Sequence, residues 1–168
     1  GQTYVAWCFK AGGTPTATNS AGAGNAPTLG SVMIDGSAST AALAGTNPAT
    51  KISANNSLGF SIISYTGTGS AATFAHGLNG APTCIFAKKL TTGSGNRNWT
   101  VYHQSLTSAT YELYLNLSDA EYNSAGAMYD GAPTSTVINV GNDDYINGSG
   151  QDYIAYAFQD KPGFVKTG

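Results

Sequence analysis

Gly150-Gln151-Asp152-Tyr153-Ile154-Ala155-Tyr156-Ala157-Phe158-Gln159 is the stretch that decides the fold. Tyr153, Ala155 and Ala157 alternate with Ile154, Tyr156 and Phe158. That is the period of two that places successive side chains on opposite faces of a strand. Both sets are apolar, so the run suits a central strand of a packed sandwich and not an exposed edge. A related decapeptide opens the chain as Gly1-Gln2-Thr3-Tyr4-Val5-Ala6-Trp7-Cys8-Phe9-Lys10, with five of ten residues identical in place. Val5 replaces Ile154 and Trp7 replaces Tyr156, both like for like. Residues 1–10 are therefore expected to be a strand homologous to 150–159.

A weaker echo accompanies the repeat, Gly59-Phe60 against Gly163-Phe164. The simplest organisation is an array. Residues 1–10 end a preceding repeat, 11–58 form a loop-rich connection, and 59–168 make the main β-sandwich module. The alternative is one symmetric sandwich using two similar strands. Further strands are predicted near Val32–Ile34, Phe60–Tyr65, Cys84–Lys88, Trp99–His103, Glu112–Leu117 and Val137–Val140. Turn chemistry separates them at Asp35-Gly36, Gly67-Thr68-Gly69, Asn79-Gly80, Asp130-Gly131 and Asn147-Gly148, where glycine is expected to supply positive φ. The only helical signal is a capping box at Ser118-Asp119-Ala120-Glu121, expected to open a single turn. The fold class read from this pattern is all-β: an antiparallel β-sandwich, jelly-roll or lectin-like, with long polar loops and minimal helix.

Composition narrows the function classes. Charged residues make up 10% of the 168, against roughly 25% in a typical soluble protein. Net charge is −2, and Lys88-Lys89 is the longest cationic run, so the concentrated basic face of a nucleic-acid binder is missing. No apolar run reaches the roughly 18 residues of a membrane-spanning helix. Cys8 and Cys84 each sit in an apolar run, as buried free thiols or as one disulfide.

Catalytic constellations are sparse. His76 and His103 have no partner at metal-ligand spacing and read as structural, with His76 capping the turn at Gly77-Leu78. No G-x-S-x-G elbow exists, and most acids stand in turns, so no enzymatic activity is expected. The densest polar cluster is Asn142-Asp143-Asp144-Tyr145, with Asn147 following. Its oxygens suit sugar hydrogen bonds, and Asp143 with Asp144 a Ca²⁺ ion; the same groups also close a solvated turn on themselves. Otherwise no cofactor is expected. Trp99 with Tyr102 offers a sugar-stacking platform, although strand alternation favours core packing of the indole.

Several of these segments together resemble a known family. They are Tyr4-Val5-Ala6-Trp7-Cys8-Phe9-Lys10-Ala11-Gly12-Gly13, Gly59-Phe60-Ser61-Ile62-Ile63-Ser64-Tyr65-Thr66-Gly67, His76-Gly77-Leu78, Ala81-Pro82, Trp99-Thr100-Val101-Tyr102-His103, and Tyr153-Ile154-Ala155-Tyr156 leading to Pro162-Gly163-Phe164. The set is similar to the tandem module of uncharacterised function in tail-fibre and other virion structural proteins of marine tailed phages, often beside a laminin-G-like lectin domain. The resemblance implies a virion-surface location, a β-sandwich fold and a structural or adhesive role; in such a role, at the virion surface or elsewhere outside the cell, contact with host glycans is one option. Partners implied are copies or neighbouring repeats of the same protein. It implies no catalytic residue. Where the family carries a K-N-R-type stretch, this chain reads Lys89-Leu90-Thr91. Two other roles fit the residues: a subunit of a self-assembling extracellular filament joined by strand addition, and a soluble carbohydrate-binding module.

Overall fold

The computed structural model describes residues 2–90 and 98–168; Gly1 of the repeat and Thr91 of the departing stretch lie outside them. The fold is all-β, and no helix occurs among the described residues. Eleven strands follow in order: β1 Val32–Ile34, β2 Ser37–Ala38, β3 Lys51–Asn55, β4 Phe60–Thr66, β5 Ala72–Ala75, β6 Cys84–Lys89, β7 Thr100–His103, β8 Tyr111–Tyr114, β9 Tyr122–Asn123, β10 Val137–Val140 and β11 Asp152–Phe158. Nine of them build one sheet in the order β2-β1-β3-β4-β11-β6-β7-β8-β9, and β10 pairs with β5 in a second. All pairs are antiparallel except β1 with β3.

β11 lies at the centre, with β4 on one side over seven residue pairs and β6 on the other over six. Its register divides the large sheet into two faces. The inner row runs Ile52–Ile63–Ala155–Ala87–Thr100, every member buried. One residue away, the outer row runs Ile62–Tyr156–Phe86–Val101–Leu113, mostly half-buried. The β5–β10 pair covers the inner face: Phe74 stacks on Tyr65 at 4.1 Å, and Ile138 and Val140 join the same core. Tyr153 also stacks on Tyr65, at 5.2 Å. Burying this set supplies the main driving force for folding.

Several sequence expectations need correction. Residues 2–10 pair with no strand of this chain, so one symmetric sandwich using both copies is not formed; Tyr4, Val5 and Trp7 are more than 80% exposed. The place such a strand would take, between β4 and β6, is already held by β11. The connection 37–57 contains β2 and β3, and β3 is buried from Ile52 to Asn55. Its small polar residues concealed a strand whose pairing with β1 and β4 is tertiary. The capping box opens no helix, because Glu121 reaches across to accept from Thr107 N–H at 2.9 Å and from its hydroxyl. The strand expected at Glu112–Leu117 ends at Tyr114, and Leu115 and Leu117 are exposed.

The Asp35-Gly36 turn forms as expected, with φ of 51° and 87° closing the β1–β2 hairpin. At Asn79-Gly80 and Asn147-Gly148 glycine does not adopt positive φ. A Cβ on Gly148 would lie 2.1 Å from Asp144 Oδ1, an atom held by Lys89, whereas one on Gly80 would meet only the movable end of Gln159. Cys84 is buried but Cys8 is exposed, and both are free thiols.

Candidate functional site

The polar cluster at 142–147 folds into a loop whose side chains mostly hold the loop itself. Asn147 is fully buried: its amide donates to Gly141 O (2.6 Å) and Ser70 O (2.7 Å), and its Oδ1 accepts from Thr68 N–H (2.9 Å). Asp143 Oδ1 accepts from Tyr145 N–H at 2.8 Å, an Asx-turn. Lys89 Nζ lies 3.0 Å from both carboxylate oxygens of Asp144. Two core tyrosines anchor the loop from below. Tyr65 donates to Ile146 O at 2.7 Å; Tyr153 donates to Asp144 O at 2.7 Å and accepts from Gly148 N–H at 2.8 Å. Asn142 is exposed and Tyr145 half-buried, its ring 5.7 Å from that of Tyr114. Any Ca²⁺ at Asp143 and Asp144 would compete with the Lys89 ammonium. Among the described residues no group of three or more His, Cys, Asp or Glu side chains is placed to hold a metal.

Trp99 and Tyr102 do not form one platform, because they point to opposite faces. Tyr102 is buried on the inner side against Tyr129, with ring centroids 5.7 Å apart, and burial raises its hydroxyl pKa. Trp99 is half-buried on the outer side, 5.9 Å from Tyr156. An odd number of residues separates strand faces, so positions 99 and 102 could not share one.

The outer face holds what the sequence reading missed. Phe60, Ile62, Phe86, Leu115, Tyr156 and Phe158 line, with Trp99 and the passing segment Trp7–Phe9, an open apolar cleft of about 670 Å³. Phe9 packs 5.1 Å from both Phe60 and Phe158, and Phe60 stacks nearly parallel to Tyr156 at 6.4 Å. Four aromatic rings of the sheet (Phe60, Phe86, Tyr156 and Phe158) thus meet Trp99 at its margin and Trp7 and Phe9 of the passing segment, with no charged residue in the lining. The signal was present in the alternation: strands with large residues on both faces imply two apolar surfaces. Only one of these is sealed.

Residues 33–168 match the family model described as a domain of unknown function, DUF7483. The chain belongs to the DUF7483 family. No curated protein and no solved structure matches it. The DUF7483 match spans every strand but the first residue of β1 and leaves out segment 2–10.

Two buried titratable groups complete the electrostatics of this DUF7483 chain. His76 is fully buried, its Nδ1 accepting from Leu78 N–H (3.1 Å) and its Nε2 facing Thr134 O (3.2 Å). The first contact makes Nδ1 the acceptor, so the neutral ring carries its proton on Nε2. Burial lowers its pKa to about 4. Glu112, on the inner side of β8, is also fully buried, and among the described residues neither carboxylate oxygen meets a partner in good hydrogen-bonding geometry. Burial pushes it up to about 7, against a downward pull from neighbouring Ser124. No helix among the described residues is long and apolar enough to cross a membrane.

Proposed function

We propose that this chain is a structural and adhesive module of a phage tail fibre or other virion surface appendage, and that it binds without catalysing. Its contact surface is the aromatic outer face of the large sheet, presented to host glycans. The observation that carries this is the open cleft where Trp99 lies over Tyr156 beside Phe86 and Leu115. An open cleft of this volume lined by aromatic and aliphatic side chains has the size and lining of a ligand-binding site. Aromatic faces match the C–H faces of sugar rings, and residues held on paired strands lose little freedom on binding. The low charge of the chain fits a surface that sheds water readily and does not rely on salt-sensitive attraction. The similarity of its motifs to virion modules supports the location.

The test is binding to insoluble polysaccharides and to host-cell envelopes by pull-down. Trp99→Ala and Tyr156→Ala should each weaken binding by about tenfold or more, equivalent to about 1.4 kcal/mol. Asn142→Ala should leave it unchanged. Loss on Asp143→Ala with retention in the aromatic variants would move the site to the anchored loop. Absence of binding to every polysaccharide and envelope tried would remove the adhesive half of the proposal.

A further inference from the structure

Residues 2–10 repeat the sequence of β11, yet they join no sheet in this fold. We infer that this segment is the closing strand of a second unit of the same fold, entering between that unit's β4 and β6 as β11 does here. The inference stands on the duplicated strand and does not depend on the adhesive reading.

The pattern of identity matches the demands of the slot. On the inner face of β11, Tyr153, Ala155 and Ala157 have no solvent exposure. Tyr153 also threads its hydroxyl between Asp144 O and Gly148 N–H. Segment 2–10 offers Tyr4, Ala6 and Cys8 at these positions: the tyrosine kept, one alanine kept, and one replaced by another small residue. Its other changes fall where the slot is lenient. Val5 and Trp7 correspond to Ile154 and Tyr156 on the half-open outer face, and Thr3 and Lys10 to the exposed Asp152 and half-exposed Gln159 at the strand ends. Phe9 keeps the Phe158 position, whose ring packs 5.0 Å from Phe60 and 5.5 Å from Phe86. A segment kept only to lie across the outer face would have no reason to preserve a buried tyrosine's partner pattern or small residues at alternate sites. Here its Tyr4 is 83% exposed.

Two experiments on the full chain test this. Five substitutions, Asp152→Thr, Ile154→Val, Tyr156→Trp, Ala157→Cys and Gln159→Lys, turn β11 into the sequence of segment 2–10. The variant should fold with a melting temperature within about 5 °C of the parent. The cysteine introduced by Ala157→Cys should resist thiol labelling while Cys8 in the same molecule reacts. Separately, a synthetic peptide of residues 2–10 at millimolar concentration, added to the full chain carrying Tyr153→Ala, should raise its melting temperature by about 3 °C or more through mass action. The same peptide with Tyr4→Ala should not. Failure of the five-substitution variant to fold, or a peptide without effect, would overturn the inference.

Discussion

β11 and segment 2–10 share one alternating pattern and have opposite surroundings. In β11 the tyrosine is sealed, stacked on Tyr65 and bonded to two backbone groups; in the segment it stands in solvent. Ala157 is buried between β4 and β6, while its counterpart Cys8 is exposed at the rim of the aromatic cleft. The lesson is that alternation confers the capacity to be a strand, and neighbours with free edges convert it into one. A strand gains its stability from pairing and burial, which are long-range quantities.

That contrast can be broken or sharpened by measurement. The largest difference should come from the paired tyrosines. Tyr153→Ala empties a sealed site and should cost about 4 kcal/mol in denaturant unfolding, whereas Tyr4→Ala should stay within about 0.5 kcal/mol. Equal costs would mean that segment 2–10 is already inserted in a partner in solution. Thiol chemistry comes next. Burial pushes Cys84 up to about 11, so at pH 8 about one part in a thousand is thiolate, and maleimide should label Cys8 at least about a hundredfold faster. Protection of Cys8 would again reveal an inserted strand.

A smaller effect tests how the two regions respond to acid. His76, lowered to about 4, holds less proton than the unfolded chain below pH 6.5, so its contribution is present above that pH and is lost on acidification. Glu112, raised to about 7, holds more proton than the unfolded chain, so its contribution grows as pH falls from 7. Between pH 7 and 5 each term amounts to about 2 kcal/mol, opposite in sign, and the parent's stability should be nearly flat. Glu112→Gln should remove the gain and leave a fall of about 2 kcal/mol over that range. A flat profile for the variant would show that Glu112 is not sealed as described. Both groups belong to the packed core, so deleting residues 2–10 should leave these profiles unchanged. The smallest change should be Lys89→Ala, about 1 kcal/mol from the pair of the largely buried Lys89 with the more exposed Asp144 that braces the loop over β11.

Much of the strand framework was legible because its signals are local. The runs at Phe60, Cys84, Val137 and Tyr153 alternate over four or more residues, and Asp35-Gly36 closes its hairpin with the φ values those residues favour. β3 was not legible. Lys51-Ile52-Ser53-Ala54-Asn55 has one large apolar residue, and it becomes a strand because β1 and β4 flank it. The binding surface was half legible. Trp99 was in view, but its companions Tyr156, Phe86 and Leu115 come from β11, β6 and the turn after β8, which only pairing brings side by side. The acidic loop drew attention by its composition, and the fold spends most of its polar groups on anchoring it.

The sequence alone determined that this chain is a β protein of low charge with a duplicated central strand, since period and composition are properties of neighbouring residues. Tertiary structure decided which copy of that strand is inside, which face of the sheet stays open, and which carboxyl is sealed in the core. Each of these turns on which surfaces meet, and a one-dimensional pattern does not contain that information.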